Sequence, residues 1–436
     1  VAAKDLRTAT SQITIPRPSH NISRADISES GLKVLYRLKN AGFEGYLVGG
    51  GVRDLLLGRE PKDFDIVTDA RPEQVKGLFR NCHLIGRRFR LAHVRFGREV
   101  IEVATFRAGA NMGAEGERIS LNGRILRDNV YGTLEEDAWR RDFSVNSLYY
   151  NIRDFSVVDF TGGMADLRTG TLRLVGDPEV RCREDPVRIV RAIRFAATLG
   201  FRLHPATEAM MSPLAHLLDH VPPARLYEEV LKLLQGGCAV RAFELLQHYD
   251  ILSHLFPQVQ ASLEQDAGLV SRMLLVKALE NTDTRIAAGK PVTPAFLFAA
   301  LLWLPMRHLS QRLQKQGMEG APGSQMAASM VLAEQVSRTA LPRRITNIIR
   351  EIWDLQRRLV NVKKRRALEL LANPRFRAAY DFLLLRAETG EYVGDKAQWW
   401  TDLQNAENGA QREELLRALA GIRRRRRRSS RQRDRK

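Results

Sequence analysis

Apolar positions along the chain fall into two textures that meet near Gly162 and Gly163. Ahead of that point, short runs switch between helix and strand periods. Leu32, Val34, Leu35 and Leu38 recur at helical spacing and lead into an apolar run over 46–48, which predicts a strand. Three consecutive glycines follow, then a helix over 52–57 and a strand over 64–67. Further strands are predicted over 93–96, 100–106, 147–152 and 157–160. The stretch 108–124 holds four glycines and no apolar period. It reads as a mobile loop, which in a compact domain is more often functional than accidental. From 185 to about 420 nearly every segment has helical period, with Pro186, Pro222, Pro223, Pro294 and Pro374 at segment starts, where a fixed φ suits the first helical turn. The predicted fold class is α+β, a mixed head followed by a long all-α region. The expected division is a flexible arm over 1–30, a head over 31–170, a helical neck over 171–260, a helical body over 261–420 and a tail over 421–436. No repeat of fixed period is evident.

Composition narrows the partners. At 436 residues the chain suits roughly two to four domains, and an apolar fraction of 44 % is ordinary for a globular protein. Net charge is +19, which points to an anionic partner, either nucleic acid or an anionic membrane surface. Residues 423–436 carry nine Arg and one Lys against one Asp, so this short tail supplies +9 and the rest of the chain keeps +10. Such a tail is expected to be disordered until bound. Cys82, Cys182 and Cys238 lie far apart with no C-x-x-C, against a disulfide framework or a Cys-rich zinc site and in keeping with a reducing cytoplasm. The longest apolar run, 295–304, is about half a bilayer span. The first residues are polar where a signal peptide would be apolar. They begin on Val, from a non-standard start or an incomplete N-terminus.

Several clusters carry candidate chemistry. Gly49, Gly50 and Gly51 follow a strand and open a helix. Glycines let backbone approach a phosphate, and a helix N-terminus offers free N–H donors. Arg53 in the first turn adds a forked donor for the same anion. A plain strand–helix turn is the alternative. Twelve residues after Gly51 come Asp63 and Asp65. On a strand, positions two apart share a face, so both carboxylates project together while Phe64 enters the core. Like charges so placed call for a cation, and Mg²⁺ prefers oxygen ligands. Two such ions about 4 Å apart can activate a 3′-hydroxyl and stabilise leaving pyrophosphate. Solvated acids on a strand edge are the competing account. Glu102 is a charge inside the otherwise apolar run 100–106. A buried carboxylate needs either a cationic partner or a metal. Arg140, Arg141, Asp142 and Asn146 suit a ribose and triphosphate clamp, or a surface ion-pair network.

In the segment 184–194, Ile189, Val190 and Ile193 form one apolar arc with Ala196 and Ala197, while Glu184, Asp185, Arg188, Arg191 and Arg194 take the opposite half. Asp185 before Pro186 is a good N-cap. Equally, an Asp and an Arg one turn apart can read a nucleobase edge.

The ordered set of motifs resembles the class II nucleotidyltransferases of the polymerase β superfamily, comprising bacterial poly(A) polymerases and CCA-adding enzymes. The matching strings are LVGGGVRDLLLGREPKDFDIVT at 47–68, IEVATFR at 101–107, RRDFSVNSL at 140–148, DFTGG at 159–163 and REDPVRIVRAIRFAATLGF at 183–201. Ser144 stands where the family usually has Thr and keeps the hydroxyl. The resemblance implies a polymerase β-like head and metal binding by Asp63 and Asp65, with Glu102 as accessory carboxylate. It also implies triphosphate contacts at Gly49, Gly50, Gly51 and Arg53, and sugar or catalytic contacts at Arg141, Asp142 and Asn146. Base recognition falls to Asp185 and Arg188, helped by Arg191. Segments 84–97 and 374–386 resemble the stretches that distinguish the poly(A) polymerases, and the HD phosphohydrolase pattern of some CCA-adding enzymes is absent from the sequence. The expected reaction is template-independent addition of AMP from ATP to RNA 3′-hydroxyls with release of pyrophosphate, promoting RNA decay. The expected cofactor is two Mg²⁺ ions, with Mn²⁺ able to substitute. Arg87, Arg88 and Arg90, with Arg423, Arg424 and Arg425 of the tail, are expected to contact RNA through its phosphates. Decay proteins are expected as further partners. CCA addition to tRNA is the alternative within the class. A non-catalytic RNA-binding protein is the alternative outside it, although a retired site has no reason to keep three acids. Membrane attachment through the tail is compatible with either.

Overall fold

The computed structural model describes residues 12–86, 90–108, 116–121, 124–265, 269–391 and 393–418. Two compact units divide between Leu214 and Ala215.

The first unit is built on a sheet of eight strands: β1 (Ile13–Ile15), β2 (Gly45–Val48), β3 (Asp65–Thr68), β4 (Cys82–Ile85), β5 (Leu91–Phe96), β6 (Glu99–Thr105), and, after a separate hairpin of β7 (Gly116–Leu121) and β8 (Arg124–Val130), β9 (Leu148–Asn151) and β10 (Val157–Asp159). Their order is β1-β10-β9-β2-β3-β6-β5-β4. Strands β3 and β6 run parallel and the other neighbours antiparallel. The mixed sheet is the one expected for a polymerase β-like head. Strand β2 lies between β9 and β3, and its apolar side chains are buried on both faces. One face carries a cluster of Val48, Val67, Phe106, Tyr149, Val158 and Phe160.

Helices of this unit are α1 (Glu29–Asn40), α2 (Gly50–Leu56), α3 (Pro72–Leu78), α4 (Leu134–Trp139), α5 (Gly163–Thr169), α6 (Pro178–Glu184), α7 (Val187–Leu199) and the single turns α8 (Pro205–Glu208) and α9 (Met211–Leu214). A small parallel pair joins β11 (Thr171–Leu172) to β12 (Arg202–Leu203). Helix α1 buries Val34, Leu35 and Leu38, as its period predicts, and Ser28 caps it by accepting from the Gly31 N–H. The DFTGG string is a structural device. The Asp159 carboxylate, 2 % exposed, accepts from the backbone N–H groups of Thr161, Gly163 and Met164 at 2.9–3.0 Å and so starts α5. At Gly163 a Cβ would overlap the Ser144 carbonyl.

Two expectations fail here. The arm over 1–30 is not loose across its described part. Strand β1 pairs with β10 at the sheet edge, and a capping box at Ser23 and Asp26 forms the turn that follows. A three-residue edge strand with Ile15 alone buried leaves no periodic signal. The stretch read as a mobile loop over 108–124 enters the β7–β8 hairpin from 116 onward. Strand β7 offers only Ile119 and Leu121 as apolar positions, too few to mark a period. Residues 109–115 lie outside the described part.

The second unit is helical, as the sequence predicts: α10 (Pro223–Leu234), α11 (Ala239–His248), α12 (Leu252–Leu255), α13 (Pro257–Gln265), α14 (Leu269–Ala287), α15 (Pro294–Leu301), α16 (Trp303–Lys315), α17 (Gly320–Thr339), α18 (Arg343–Val360), α19 (Lys364–Leu371), α20 (Phe376–Glu388) and α21 (Lys396–Asn405). Helix α18 buries Ile345, Ile349, Ile352, Leu355 and Leu359 along one stripe. Trp400, fully buried, donates its indole N–H to the Leu359 carbonyl at 3.1 Å. A polar knot sits in this core. The Arg386 guanidinium donates to both Glu391 oxygens at 2.6 and 3.0 Å and to Gln356 Oε1 at 3.0 Å, while Trp303 Nε1 donates to Glu391 at 3.2 Å. Among the described residues, no helix is long and apolar enough to cross a membrane.

Candidate active site

Sheet register assembles the first part of the site. In β2–β3 pairing Val48 stands opposite Asp65, so the glycine turn that begins at the next residue lies directly beside that carboxylate. Across the parallel pair, Asp65 registers with Glu102, and the two project from the same face. Gly49 adopts φ 77° and ψ −141°, a conformation open to glycine and strained for any residue with a Cβ. A Cβ on Gly51 would stand 3.2 Å from the Asp63 carbonyl, so the bare backbone is what allows α2 to approach the acidic strand. Phe64 is buried, as expected, and Asp63 is exposed just ahead of β3.

The Asp65 carboxyl is pushed up to about 6. Burial is the main cause, the charges of Glu102 and Asp63 add to it, and Arg141 opposes it. This is an oxygen-only donor set under electrostatic stress, and a hard divalent cation fits it. Among the described residues, no three His, Cys, Asp or Glu side chains are grouped closely enough to hold an ion by themselves. Water, and substrate phosphates when present, would have to complete the shell, as is usual for Mg²⁺. Glu102 corrects one premise. Its side chain is 48 % exposed and pairs with His93 Nε2 at 3.1 Å, so it is no buried charge in need of rescue. The strand alternates, and position 102 falls on its open side.

Arg141 is held from behind. Its Nε donates to Asp137 Oδ2 at 3.1 Å and to the Tyr149 hydroxyl at 2.9 Å, and its Nη2 donates to Asp137 Oδ2 at 2.9 Å. Tyr149 in turn donates to Asp137 at 3.0 Å. Burial raises the Tyr149 phenol well above its ordinary value, so it remains a donor. Arg53 is turned inward, contrary to the expectation that its fork faces an anion. It is 8 % exposed, donates Nη1 to Asn146 Oδ1 at 2.8 Å, and binds Asp54 through Nε and Nη2.

Asp142 and α7 form the second part. Asp142 Oδ2 accepts from Arg191 Nε at 2.9 Å and Nη2 at 2.5 Å, and Oδ1 accepts from the Phe143 N–H at 2.8 Å. Burial works against the charge on Asp142, but Arg191 and these bonds outweigh it and hold the carboxyl below its usual range. The arginine face of α7 is half-buried rather than solvated. Phe195 explains part of this: the guanidiniums of Arg53, Arg191 and Arg194 stand 5.3, 5.5 and 4.1 Å from its ring centroid. Asp185 does not serve as a side-chain N-cap. Pro186 takes that position without a capping bond, and Asp185 links α6 to α7 by accepting the Arg188 N–H on its carbonyl. Arg188 donates to the Arg181 carbonyl at 2.5 Å and to Glu184 at 3.2 Å.

Sequence reasoning missed Asp137, Tyr149 and Arg181. Arg181 Nη2 donates to the carbonyls of Arg140 and Arg141 at 2.5 and 2.7 Å and so pins the backbone of the RRD string to α6. Nothing marked these three, because an acid, an aromatic and an arginine on ordinary helix and strand positions become site residues only through tertiary contacts. Arg90 pairs with Glu73 at 2.5 Å. Arg87, Arg88, Arg423, Arg424 and Arg425 lie outside the described residues.

Comparison with known proteins agrees with this layout. Three families match in chain order: "Poly A polymerase head domain" over 45–173, "Probable RNA and SrmB- binding site of polymerase A" over 200–263 and "Polymerase A arginine-rich C-terminus" over 316–435. Poly(A) polymerase I of Salmonella typhi is 50 % identical over 397 residues, covering 89 % of this chain and 85 % of that protein. The chain belongs to the poly(A) polymerase I family. The Haemophilus influenzae member is 46 % identical over 403 residues, covering 91 % of this chain and 88 % of its own. A solved structure of the Bacillus stearothermophilus CCA-adding enzyme in complex with CTP superposes with TM-score 0.55 at 26 % identity, over 92 % of this chain and 83 % of that one. Members of this nucleotidyltransferase family use a divalent metal, and the donor set at Asp65 fits one.

Proposed function

We propose that this chain is a polynucleotide adenylyltransferase that extends RNA 3′ ends with AMP from ATP, without a template. The observation that carries the reading is the crowded Asp65 carboxyl, set by register between the glycine turn and Glu102. Asp63 and Asp65, with Glu102 beside them, would hold two Mg²⁺ or Mn²⁺ ions, which supply Lewis-acid stabilisation at the attacking and leaving oxygens. The RNA 3′-oxygen forms a bond to the α-phosphorus, the bridging bond to the β-phosphate breaks, pyrophosphate leaves, and the hydroxyl proton passes to solvent. Gly49, Gly50 and Gly51 bring backbone N–H groups to the triphosphate, while Arg53 and Asn146 brace the loop from inside. Asp142, ionised and fully engaged, sets Arg191 and Asn146 for the sugar. Asp185 and Arg188 read the base.

The division by residue number is retained as a proposal, supported by the order of the matched families, with Ile13–Ile15 of the arm taken into the sheet of the head. Arg87, Arg88 and Arg90, with Arg423, Arg424 and Arg425, would take RNA phosphates. The working compartment would be the cytoplasm, where ATP and transcripts meet, with RNA-decay proteins as partners and peripheral membrane contact as a second use of the tail. Likeness to a CCA-adding enzyme supports a second reading, addition of a short fixed sequence to tRNA.

One assay separates these. The protein is incubated with Mg²⁺ and a generic 3′-hydroxyl RNA, with ATP alone or CTP alone. A long ladder with ATP is expected; extension of tRNA only, stopping after a few additions, sinks the claim. Asp63→Ala should abolish addition with RNA binding largely intact.

A further inference from the structure

Asp137 stands in α4 one turn before Arg141, 5 % exposed, and belongs to none of the matched motif strings. Its Oδ2 accepts both Nε and Nη2 of Arg141, and the Tyr149 hydroxyl closes the ring by accepting from Nε and donating to Oδ2. The Tyr149 ring lies against the guanidinium, 5.3 Å from centroid to Cζ. These contacts occupy one side of the fork. Nη1 takes no part in them, and it faces the glycine turn: the position of a Cβ on Gly49 is 3.7 Å from Arg141 Nη1 and 3.8 Å from Asp65 Oδ2. The outer end of Arg141 and a carboxylate of the acidic pair therefore flank the same point of the loop.

That placement poses a competition. A guanidinium free to turn would form a forked pair with the nearest under-neutralised carboxylate, here Asp65, and in a half-buried setting such a pair is strong. It would remove oxygens from the cation site. Asp137 answers this by taking the two-pronged side of the fork for itself.

We infer that Asp137 is a positioning residue that, with Tyr149, presents Arg141 Nη1 to the nucleotide phosphates above Gly49 while keeping the guanidinium off Asp65. The inference rests on the proposed reading of Asp65 as a metal ligand. Asp137 touches neither substrate nor metal. It acts through Arg141 alone.

The test uses the full chain with Asp137→Asn, Asp137→Glu, Tyr149→Phe and Asp65→Asn. Mn²⁺ binding without nucleotide is followed by the paramagnetic resonance signal of the free ion, and KM for ATP and kcat are measured on a 3′-hydroxyl RNA. Asp137→Asn keeps volume and loses charge. It should weaken Mn²⁺ binding and raise KM for ATP by about tenfold each, with kcat within about threefold, the size of one misplaced charge-assisted hydrogen bond. Asp137→Glu should recover most of both, and Tyr149→Phe should show the same changes at about threefold. Unchanged Mn²⁺ binding and KM in a folded Asp137→Asn protein overturn the inference and leave a structural ion pair. If that variant does not fold, Tyr149→Phe decides in the same way. Asp65→Asn separates the two failures. Mn²⁺ binding that survives it sinks the metal reading, whereas binding abolished there and unchanged in Asp137→Asn sinks the positioning role alone.

Discussion

Replacing Asp159 tests whether an acid inside a family motif is structural. Its carboxylate is 2 % exposed, with Oδ1 accepting from Thr161 and Gly163 and Oδ2 from Met164. Asparagine keeps one oxygen, and so can keep the first two bonds, but sets an amide N–H against the Met164 N–H. One bond to a charged acceptor is worth about 1.5–3 kcal/mol, and a buried donor is left unsatisfied besides. Asp159→Asn should therefore cost about 2–3 kcal/mol. Alanine strips all three donors, including the cap of α5, and should cost about 4 kcal/mol, short of a full sum because such terms do not add. The assay is native-state hydrogen exchange by mass spectrometry on peptides from β10 and α5. A loss of about 2 kcal/mol appears there as exchange roughly 30-fold faster. Nucleotide addition at low temperature should retain kcat within about twofold, because Asp159 faces only backbone. Unchanged protection with activity abolished would refute the structural role and place Asp159 in the chemistry.

Other expectations follow from single features. Gly49→Ala meets no close neighbour, since its Cβ would be 3.7 Å from Arg141 Nη1, so backbone strain of about 1–3 kcal/mol should act alone. KM for ATP should rise at least about fivefold, and an unchanged KM removes the loop from the phosphate site. Glu391 is partly buried, which disfavours its charge, yet hydrogen bonding and charge from Arg386, then Arg307 and Trp303, hold its carboxyl below the usual 4.5. A depressed folded value means the contribution is present above pH 4.5 and lost as pH falls through the folded value. Glu391→Gln should flatten the acid limb of the helical unit's stability curve, and an unaltered limb contradicts the assignment. Deleting 423–436 should weaken RNA affinity and reduce the slope of log affinity against log salt by about 0.7 for each phosphate the tail had neutralised. Equal affinity at low salt rules out an RNA role for the tail.

Much of the fold was legible because helix and strand periods are physical. The apolar triplet ahead of the glycines became β2, and the Leu32–Leu38 spacing became the buried face of α1. What was not legible depended on register or on brevity. Strand β1 is too short to show alternation, and β7 offers only Ile119 and Leu121 as apolar positions. Asp63, Asp65 and the glycine turn could be named from local spacing, whereas the Asp65–Glu102 juxtaposition is a property of strand pairing. Glu102 misled because an apolar run suggests two buried faces, and β6 has one. Asp137 and Tyr149 were invisible because their meaning lies in Arg141, reached from a helix and a strand that sequence alone does not bring together.

Phe195 draws Arg53 from behind the glycine turn and Arg191 and Arg194 from α7 toward one ring. On the proposed reading, the first stands behind the phosphate end of a bound nucleotide and Arg191 at its sugar. The ring then ties the phosphate end of the site to its sugar end, so that a shift at one is felt at the other.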